Sequence, residues 1–173
     1  MEEPQLSLTE YAVLGVLAEG PTHGFAISRD LAPKGSVGRV LTVRRPLTYR
    51  ALDRLVSVGL ATPVHSERGD GGPQRLVHKA TPAGKRRLKR WLGEPVWHVR
   101  DMRIEFQLKL VLLQRSGSSP LALIEKQRRL LGPTLVALDI QSSDPPDLLE
   151  LWRQHNAAAT DGYLKALEDI YTT

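Results

Sequence analysis

The 173-residue sequence predicts a mainly α-helical fold with a small β-hairpin, divided into an N-terminal and a C-terminal part. Apolar residues at helical spacing occupy much of the first 60 residues. Two β-prone runs then flank a turn rich in glycine at 68–73. Helical patterns return near residue 81 and continue to the end of the chain. Because 41% of the residues are hydrophobic, the chain has enough apolar side chains for a buried core.

The first two helices are predicted at 7–19 and 22–31. Ser7 and Glu10 have the spacing of a capping box, in which each side chain bonds to the backbone of the other residue. Gly20-Pro21 ends the first helix. Residues 32–45 are rich in Gly, Pro and basic side chains, and this composition favours a long connection.

A third helix is predicted at 46–59, because Pro46 suits a first helical turn and Gly59 suits a helix end. One face carries small and aliphatic residues, namely Thr48, Ala51, Leu52, Leu55 and Gly59. The opposite face is polar and carries Arg50, Asp53, Arg54 and Ser57, with Tyr49 on its flank. Arg44 and Arg45 precede this helix, so its N-terminal end is strongly basic.

The hairpin is predicted from strands at 61–67 and 74–80, joined by the turn at 68–73. Thr81-Pro82 then opens another helix, with Thr as its cap. Three helices followed by a hairpin are the order of a winged helix-turn-helix. In that arrangement the third helix lies in the DNA major groove and the hairpin, called the wing, reaches the flanking backbone. We therefore predict a DNA-binding domain at 1–95.

Residues 96–173 are predicted to form a second, helical domain. A helix at 101–115 is apolar around most of its circumference after Ile104, so it must be covered on more than one side. The next helix begins at Pro120, and Gly132-Pro133 is expected to kink or break it. Its residues at 3-4-3-4-3 spacing are Leu121, Ile124, Arg128, Leu131, Leu135 and Leu138.

A last helix is predicted from about 147 to 170, and one stripe along it is largely apolar. The stripe consists of Leu148, Trp152, His155, Ala159, Tyr163, Ala166 and Ile170. Roughly 70 residues cannot bury three such helices alone, so the sequence predicts homodimerisation through 96–173. The alternative is that these helices pack back on the first domain in a monomer.

Charge and composition narrow the possible functions. Residues 1–100 carry a net charge of +7 and residues 101–173 a net charge of −2, so only the first part is expected to meet a polyanion. The chain has no cysteine, no apolar run long enough for a membrane helix, and a polar N-terminus unlike a signal peptide. A cytoplasmic protein without membrane association is expected.

Enzyme chemistry is not predicted. The five histidines show no metal-ligand spacing, and the sequence has neither a nucleophile elbow nor a phosphate-binding loop. We therefore expect no metal and no cofactor. An enzyme with a helical substrate domain remains a disfavoured alternative, and a winged-helix module that binds proteins instead of DNA remains a second one.

Several motifs together resemble the PadR family of bacterial transcriptional regulators, in its longer subfamily with a multi-helix C-terminal domain. The matching stretches are Gly20-Pro21-Thr22-His23-Gly24-Phe25-Ala26-Ile27, Tyr49-Arg50-Ala51-Leu52-Asp53-Arg54-Leu55, Ala80-Thr81-Pro82-Ala83-Gly84 and Arg103-Ile104-Glu105-Phe106-Gln107-Leu108-Lys109-Leu110. Two features depart from the family: the connection at 32–45 is longer, and the third helix opens with Pro46-Leu47-Thr48. The resemblance implies a dimeric regulator, usually a repressor, that binds a pseudo-palindromic operator and in some members is released by a small molecule.

The candidate DNA contacts come from the third helix and the wing. They are Arg44, Arg45, Thr48, Tyr49, Arg50, Arg54, Arg68, Gln74 and Arg75. Arginine is the commonest reader of guanine in the major groove, whereas the wing residues are expected to bind the backbone. The alternative for each arginine is an ordinary solvated side chain. Trp97 and Trp152 are either core residues or the walls of a pocket for a small hydrophobic or aromatic effector.

Overall fold

The computed structural model describes residues 3–68, 74–140 and 147–172. The chain divides into two compact units, the first ending at Leu92 and the second beginning at Gly93. Seven α-helices and one three-stranded antiparallel sheet lie in the described ranges. The predicted mainly α-helical fold with a β-hairpin is therefore confirmed. The predicted domain boundary at 95/96 falls three residues after the division seen here.

Three helices precede the hairpin in the first unit: α1 (Leu8–Glu19), α2 (Gly24–Asp30) and α3 (Arg45–Ser57). The capping box at α1 is present, since the Glu10 N–H donates to Ser7 Oγ (3.3 Å) and the Ser7 N–H donates to Glu10 Oε2 (2.6 Å). His23 caps α2, where its Nδ1 accepts a hydrogen bond from the Ala26 N–H at 3.0 Å. α3 begins one residue before the predicted start, and the four inward-facing residues predicted before Gly59 are all buried.

The sheet contains one strand more than the sequence predicts. β1 (Thr22–His23) pairs with β3 (Gln74–Ala80), which also pairs with β2 (Ala61–Arg68), so β3 is the central strand. Because β1 is only two residues long, it gives no alternation pattern. Its pairing with Val77 and His78 anchors the base of the hairpin to the start of α2.

A glycine-containing junction joins α3, the hairpin and α4 (Pro82–Leu92). Gly59 has φ +72°, a conformation that favours glycine. The Thr81 N–H donates to the Leu60 carbonyl at 2.9 Å, and the Thr81 hydroxyl donates to the Gly59 carbonyl at 2.8 Å. Thr81 Oγ1 accepts from the Gly84 N–H at 3.0 Å and so caps α4 as predicted. A Cβ at Gly84 would lie 2.1 Å from the Leu60 carbonyl oxygen, so this close approach requires glycine.

The second unit contains a short 3₁₀ helix (Val99–Arg103), α5 (Glu105–Arg115), α6 (Leu121–Ile140) and α7 (Leu148–Thr172). The prediction of one helix over 101–115 is wrong in its start, because Ile104 at φ −119° separates the 3₁₀ turn from α5. α6 is one helix that contains Pro133, so Gly132-Pro133 does not end it. No helix within the described ranges is long and apolar enough to span a membrane.

α5, α6 and α7 share one core, which uses the predicted seam of α6. Ile124, Leu131 and Leu135 are buried there, and Arg128 pairs with Glu168 of α7. From α7 this core takes Ala157 and Leu164, which lie off the predicted apolar stripe. The stripe itself stays exposed: Leu148 is 81%, Trp152 62% and Ile170 67% accessible.

Side chains of α5 and α6 hold the segment that opens the second unit. Gln127 is fully buried, accepts from the Val96 N–H at 2.7 Å and donates to the Val96 carbonyl at 2.8 Å. Lys109 donates to the Glu94 carbonyl at 2.7 Å and lies 2.9 Å from Glu105. Burial lowers the pKa of Lys109, and the neighbouring Glu105 carboxylate partly offsets this.

Candidate nucleic-acid interface

The predicted basic face of α3 lies at the surface. Arg44 is the N-cap residue, and its carbonyl accepts from the Leu47 and Thr48 N–H groups. Arg45 is the first helical residue, while Arg50 and Arg54 lie further along, and all four arginine side chains are exposed. In the described parts of the chain, none of these guanidinium groups forms an ion pair or a hydrogen bond. Their donors are free to contact an anion.

Thr48 does not belong to this face. Its side chain has no accessible surface, and its hydroxyl lies 3.5 Å from the Arg44 carbonyl oxygen. The helical periodicity that places Ala51, Leu52 and Leu55 inward places Thr48 inward as well. The prediction that Thr48 contacts DNA is therefore wrong, because its side chain is buried within the first unit.

Tyr49 lies at the edge between the exposed and the buried side of α3. Its ring packs against Gly24 of α2, so closely that a Cβ at Gly24 would lie 2.8 Å from Cε1 of the ring. This contact fixes the approach of α2 to α3, because a larger residue at position 24 would displace the ring. The half-buried ring leaves part of Tyr49 at the surface.

Two of the predicted arginines meet at a residue that the sequence did not single out. The Cζ atom of Arg45 lies 5.5 Å from the ring centroid of Phe25, and the Cζ atom of Arg75 lies 4.9 Å from the same centroid. Arg45 also lies 5.6 Å from the centroid of Tyr49. These are cation–π distances. In the sequence, Phe25 differs from its neighbours only in being an aromatic residue near the start of a short helix that has few other apolar positions.

The wing supplies the remaining predicted contacts. Gln74 is exposed at the start of β3 and pairs through its backbone with Arg68, the last residue of β2. The tip at 69–73 and the side chain of Arg68 lie outside the described residues. Arg75 is half-buried beside Phe25. The structure thus brings Arg75 next to Arg45, although the two residues belong to different elements.

A cleft of about 450 Å³ lies between α2, α3 and β3. Its walls include Phe25, Arg45, Tyr49, Arg75 and the buried His78. Two guanidinium groups against one carboxylate, that of Asp53, make its lining mainly cationic. A cationic surface that joins the helix to the wing suits the phosphate backbone of a nucleic acid.

Comparison with protein families identifies the first unit. The family described as transcriptional regulator PadR-like matches residues 13–90, which include α2, α3 and the hairpin. Residues 13–90 are therefore similar in sequence to PadR-like regulators. We call 13–90 the PadR-like domain. The family consists of transcriptional regulators, not of enzymes.

One solved structure has a similar fold over nearly the whole chain. Bacillus subtilis PadR in complex with operator DNA is 21% identical, with 96% of this chain and 99% of that chain covered and a TM-score of 0.50. The same protein in complex with p-coumaric acid is 21% identical, with coverages of 96% and 97% and a TM-score of 0.43. The protein smu.1604c of Streptococcus mutans UA159 is 18% identical, with coverages of 95% and 98% and a TM-score of 0.45. Comparison with curated protein sequences finds no significant match.

The two predicted effector residues lie outside the PadR-like domain, in the second unit. Both are exposed rather than core residues, Trp97 being 73% accessible. Trp97 lines a cavity of about 380 Å³ together with Lys109 and the backbone region of Val96. Trp152 on α7 is not part of this lining. Trp97 therefore forms an aromatic wall of this cavity, and Trp152 belongs to the exposed stripe of α7.

The described residues contain no group of three or more histidine and carboxylate side chains suited to a metal ion. The arginine-rich face of the PadR-like domain is thus the feature with the clearest binding chemistry.

Proposed function

We propose that the protein is a homodimeric transcriptional regulator that represses by binding a pseudo-palindromic operator. α3 enters the major groove and the hairpin at 61–80 follows the backbone. The observation that carries this proposal is the set of exposed α3 arginines, which have no acidic partner in the described residues. One of them, Arg45, contacts the same Phe25 ring as Arg75 of the wing. The PadR-like family and the fold of an operator-bound PadR support it.

The two elements have different tasks. Arg50 is exposed in the first half of α3, where helix-turn-helix side chains reach base edges, and its guanidinium fork suits guanine. Arg75 on β3 is placed beside the helix, where a wing meets phosphates. We therefore assign base reading to Arg50 and Arg54 and backbone binding to Arg44, Arg45, Tyr49, Arg68, Gln74 and Arg75.

The test first identifies the operator by sequencing genomic fragments that the purified protein retains. Arg50→Ala is expected to cost about 1–3 kcal/mol on the operator and to relax the preference at one base pair per half-site. Arg75→Ala is expected to weaken operator and scrambled duplexes alike and to lower the salt dependence by about one phosphate per subunit. Arg153→Ala, an exposed arginine of α7, is the matched control and leaves both duplexes unaffected.

Two outcomes contradict these assignments. Equal losses on operator and scrambled DNA for Arg50→Ala would make Arg50 a phosphate contact. Retention of no genomic fragment by the wild-type protein would favour a winged-helix module that binds protein instead.

The dimer is assigned to the second unit. The exposed stripe of α7, with Leu148, Trp152 and Ile170, is a surface that a second copy would cover. Sedimentation at micromolar concentration is expected to show a dimer for the wild type and a monomer for Trp152→Glu combined with Ile170→Glu. Arg153→Glu, exposed on α7 outside this stripe, is expected to remain dimeric. A wild-type monomer would refute the dimer.

We propose an effector site at Trp97; Trp152, the second predicted residue, lies outside the cavity that Trp97 lines. The cavity of about 380 Å³ beside Trp97 has the size of a small-molecule site, and its lining includes the polar residues His98 and Asp101. Planar hydrophobic compounds are expected to quench tryptophan fluorescence and to weaken DNA binding, and DNA must weaken compound binding by the same factor. Quenching that persists after Trp97→Phe and Trp152→Phe would point to Trp91 and refute this site.

A further inference from the structure

Phe25 is an aromatic residue that the core of the PadR-like domain does not bury. It is the second residue of α2, and 40% of its surface is accessible. The next turn of α2 is anchored instead by Ile27, which is fully buried. The role of the Phe25 ring therefore lies in what surrounds it at the surface.

The ring is flanked by two cations that come from separate elements. Arg45, the first residue of α3, lies 5.5 Å from its centroid, and Arg75 of β3 lies 4.9 Å from it. Both distances are within the range of cation–π attraction. α2 thus provides one aromatic surface that holds a guanidinium of the helix and a guanidinium of the wing.

A ring holds these groups in a way that a carboxylate would not. A carboxylate would neutralise each guanidinium and occupy the N–H donors that a phosphate needs. In the described residues, neither the Arg45 nor the Arg75 side chain forms an ion pair or a hydrogen bond, so the ring restricts these side chains and leaves their charge and donors available.

We infer that Phe25 is a positioning residue. Its ring holds the side chains of Arg45 and Arg75 in place, so that both can bind phosphates of duplex DNA. The inference rests on the proposed DNA binding and adds a residue to it that does not itself contact DNA. Pre-ordered side chains lose less conformational freedom on binding, so the ring raises the affinity without adding a contact. The matching surface is the cationic cleft between α2, α3 and β3.

The contact is tested first in the free protein. NMR is expected to show the side-chain Hδ protons of Arg45 and Arg75 shifted upfield by the ring current of Phe25. Phe25→Leu is expected to abolish the shift of Arg75 and to reduce that of Arg45, which also lies 5.6 Å from the Tyr49 ring. Phe25→Tyr, which keeps a ring, is expected to preserve both shifts. Unshifted Arg45 and Arg75 protons in the wild-type protein would refute the inference, whatever the DNA-binding result.

The effect of the Phe25 ring on DNA affinity is tested with a duplex of mixed sequence at several salt concentrations. Phe25→Leu is expected to lower the affinity about 3- to 10-fold, because two exposed cation–π contacts are lost. Its salt dependence is expected to match the wild type, since both arginines can still reach phosphates. Arg45→Ala and Arg75→Ala are each expected to lower the salt dependence by about one phosphate per subunit. Phe25→Tyr is expected to bind like the wild type.

The outcomes separate the inference from the proposed function. Wild-type affinity for Phe25→Leu, with losses for Arg45→Ala and Arg75→Ala, would refute the positioning role and leave DNA binding intact. Wild-type affinity for both arginine variants would place the DNA-binding face elsewhere and refute the proposed interface. A further loss from Phe25→Leu in a protein already lacking both arginines would show that the ring acts by another route and would also refute the inference.

Discussion

Gln127 is expected to carry an unusually large share of the stability of the second unit. Its side chain is fully buried and satisfies both the N–H and the carbonyl of Val96, at 2.7 and 2.8 Å. Gln127→Leu keeps the side chain's approximate size and leaves both backbone groups without this partner. Each unsatisfied buried group costs about 1–3 kcal/mol, and burial of the more apolar leucine returns about 1–2 kcal/mol. Subtracting this return from the cost of the two groups gives a net loss of about 0–5 kcal/mol, with a mid-range value of about 2.5 kcal/mol.

Urea denaturation of the full chain at one fixed protein concentration measures this loss. With an m-value of about 2 kcal/mol/M, a mid-range loss lowers the midpoint for the second unit by about 1 M. Gln114→Leu, an exposed glutamine on α5, is the control and is expected to change stability by less than about 0.5 kcal/mol. Hydrogen exchange at the Val96 amide gives an independent measurement, because Gln127→Leu removes the acceptor that protects it.

Equal midpoints for Gln127→Leu and Gln114→Leu would refute this reasoning. They would mean that water or a backbone shift replaces the lost partners at little cost. Unchanged exchange at the Val96 amide would lead to the same conclusion for the N–H group alone.

Two further predictions concern stability. Gly84→Ala is expected to destabilise the PadR-like domain by at least about 2 kcal/mol, since its Cβ would lie 2.1 Å from the Leu60 carbonyl oxygen. Thermal unfolding measures this loss, with Lys85→Ala at an exposed position as the control. Equal midpoints for the two variants would contradict the prediction. Because burial lowers the pKa of Lys109, the unfolded chain binds more protons between that lowered pKa and the ordinary value of 10.5, and stability is expected to rise with pH across this window. Lys109→Met is expected to remove that rise, and an identical pH profile for the variant would contradict the assignment.

The sequence predicted the elements whose signal is local. The Ser7–Glu10 capping box, the buried face of α3 and the Thr81 cap of α4 each depend on residues within a few positions of each other, and all three are confirmed. The arginines of α3 are exposed for the same reason, because helical periodicity fixes which face points away from Leu52 and Leu55.

The sequence could not predict features that depend on distant residues. β1 exists only through its pairing with Val77 and His78. The break at Ile104 has no Gly or Pro to announce it, and α6 continues through Pro133 because Leu131 and Leu135 pack in one core on both sides of the proline.

In the candidate site, the contacts of Phe25 with Arg45 and Arg75 join three separate elements. α7 shows a different limit: its predicted apolar stripe is exposed, whereas the chain buries Ala157 and Leu164 on the other side of the helix.

The bonds around Thr81 also bear on how such a protein can change during evolution. They close the hairpin at its base, where Leu60 and Thr81 meet and Gly59 accepts the Thr81 hydroxyl. Between these residues β2 and β3 pair with each other, so the two ends of the connection that joins them are fixed independently of its length. Lengthening such a loop costs little, since the closure entropy grows only with the logarithm of its length. Insertions or deletions in this connection can therefore alter the length of the hairpin while α3 and α4 keep their places.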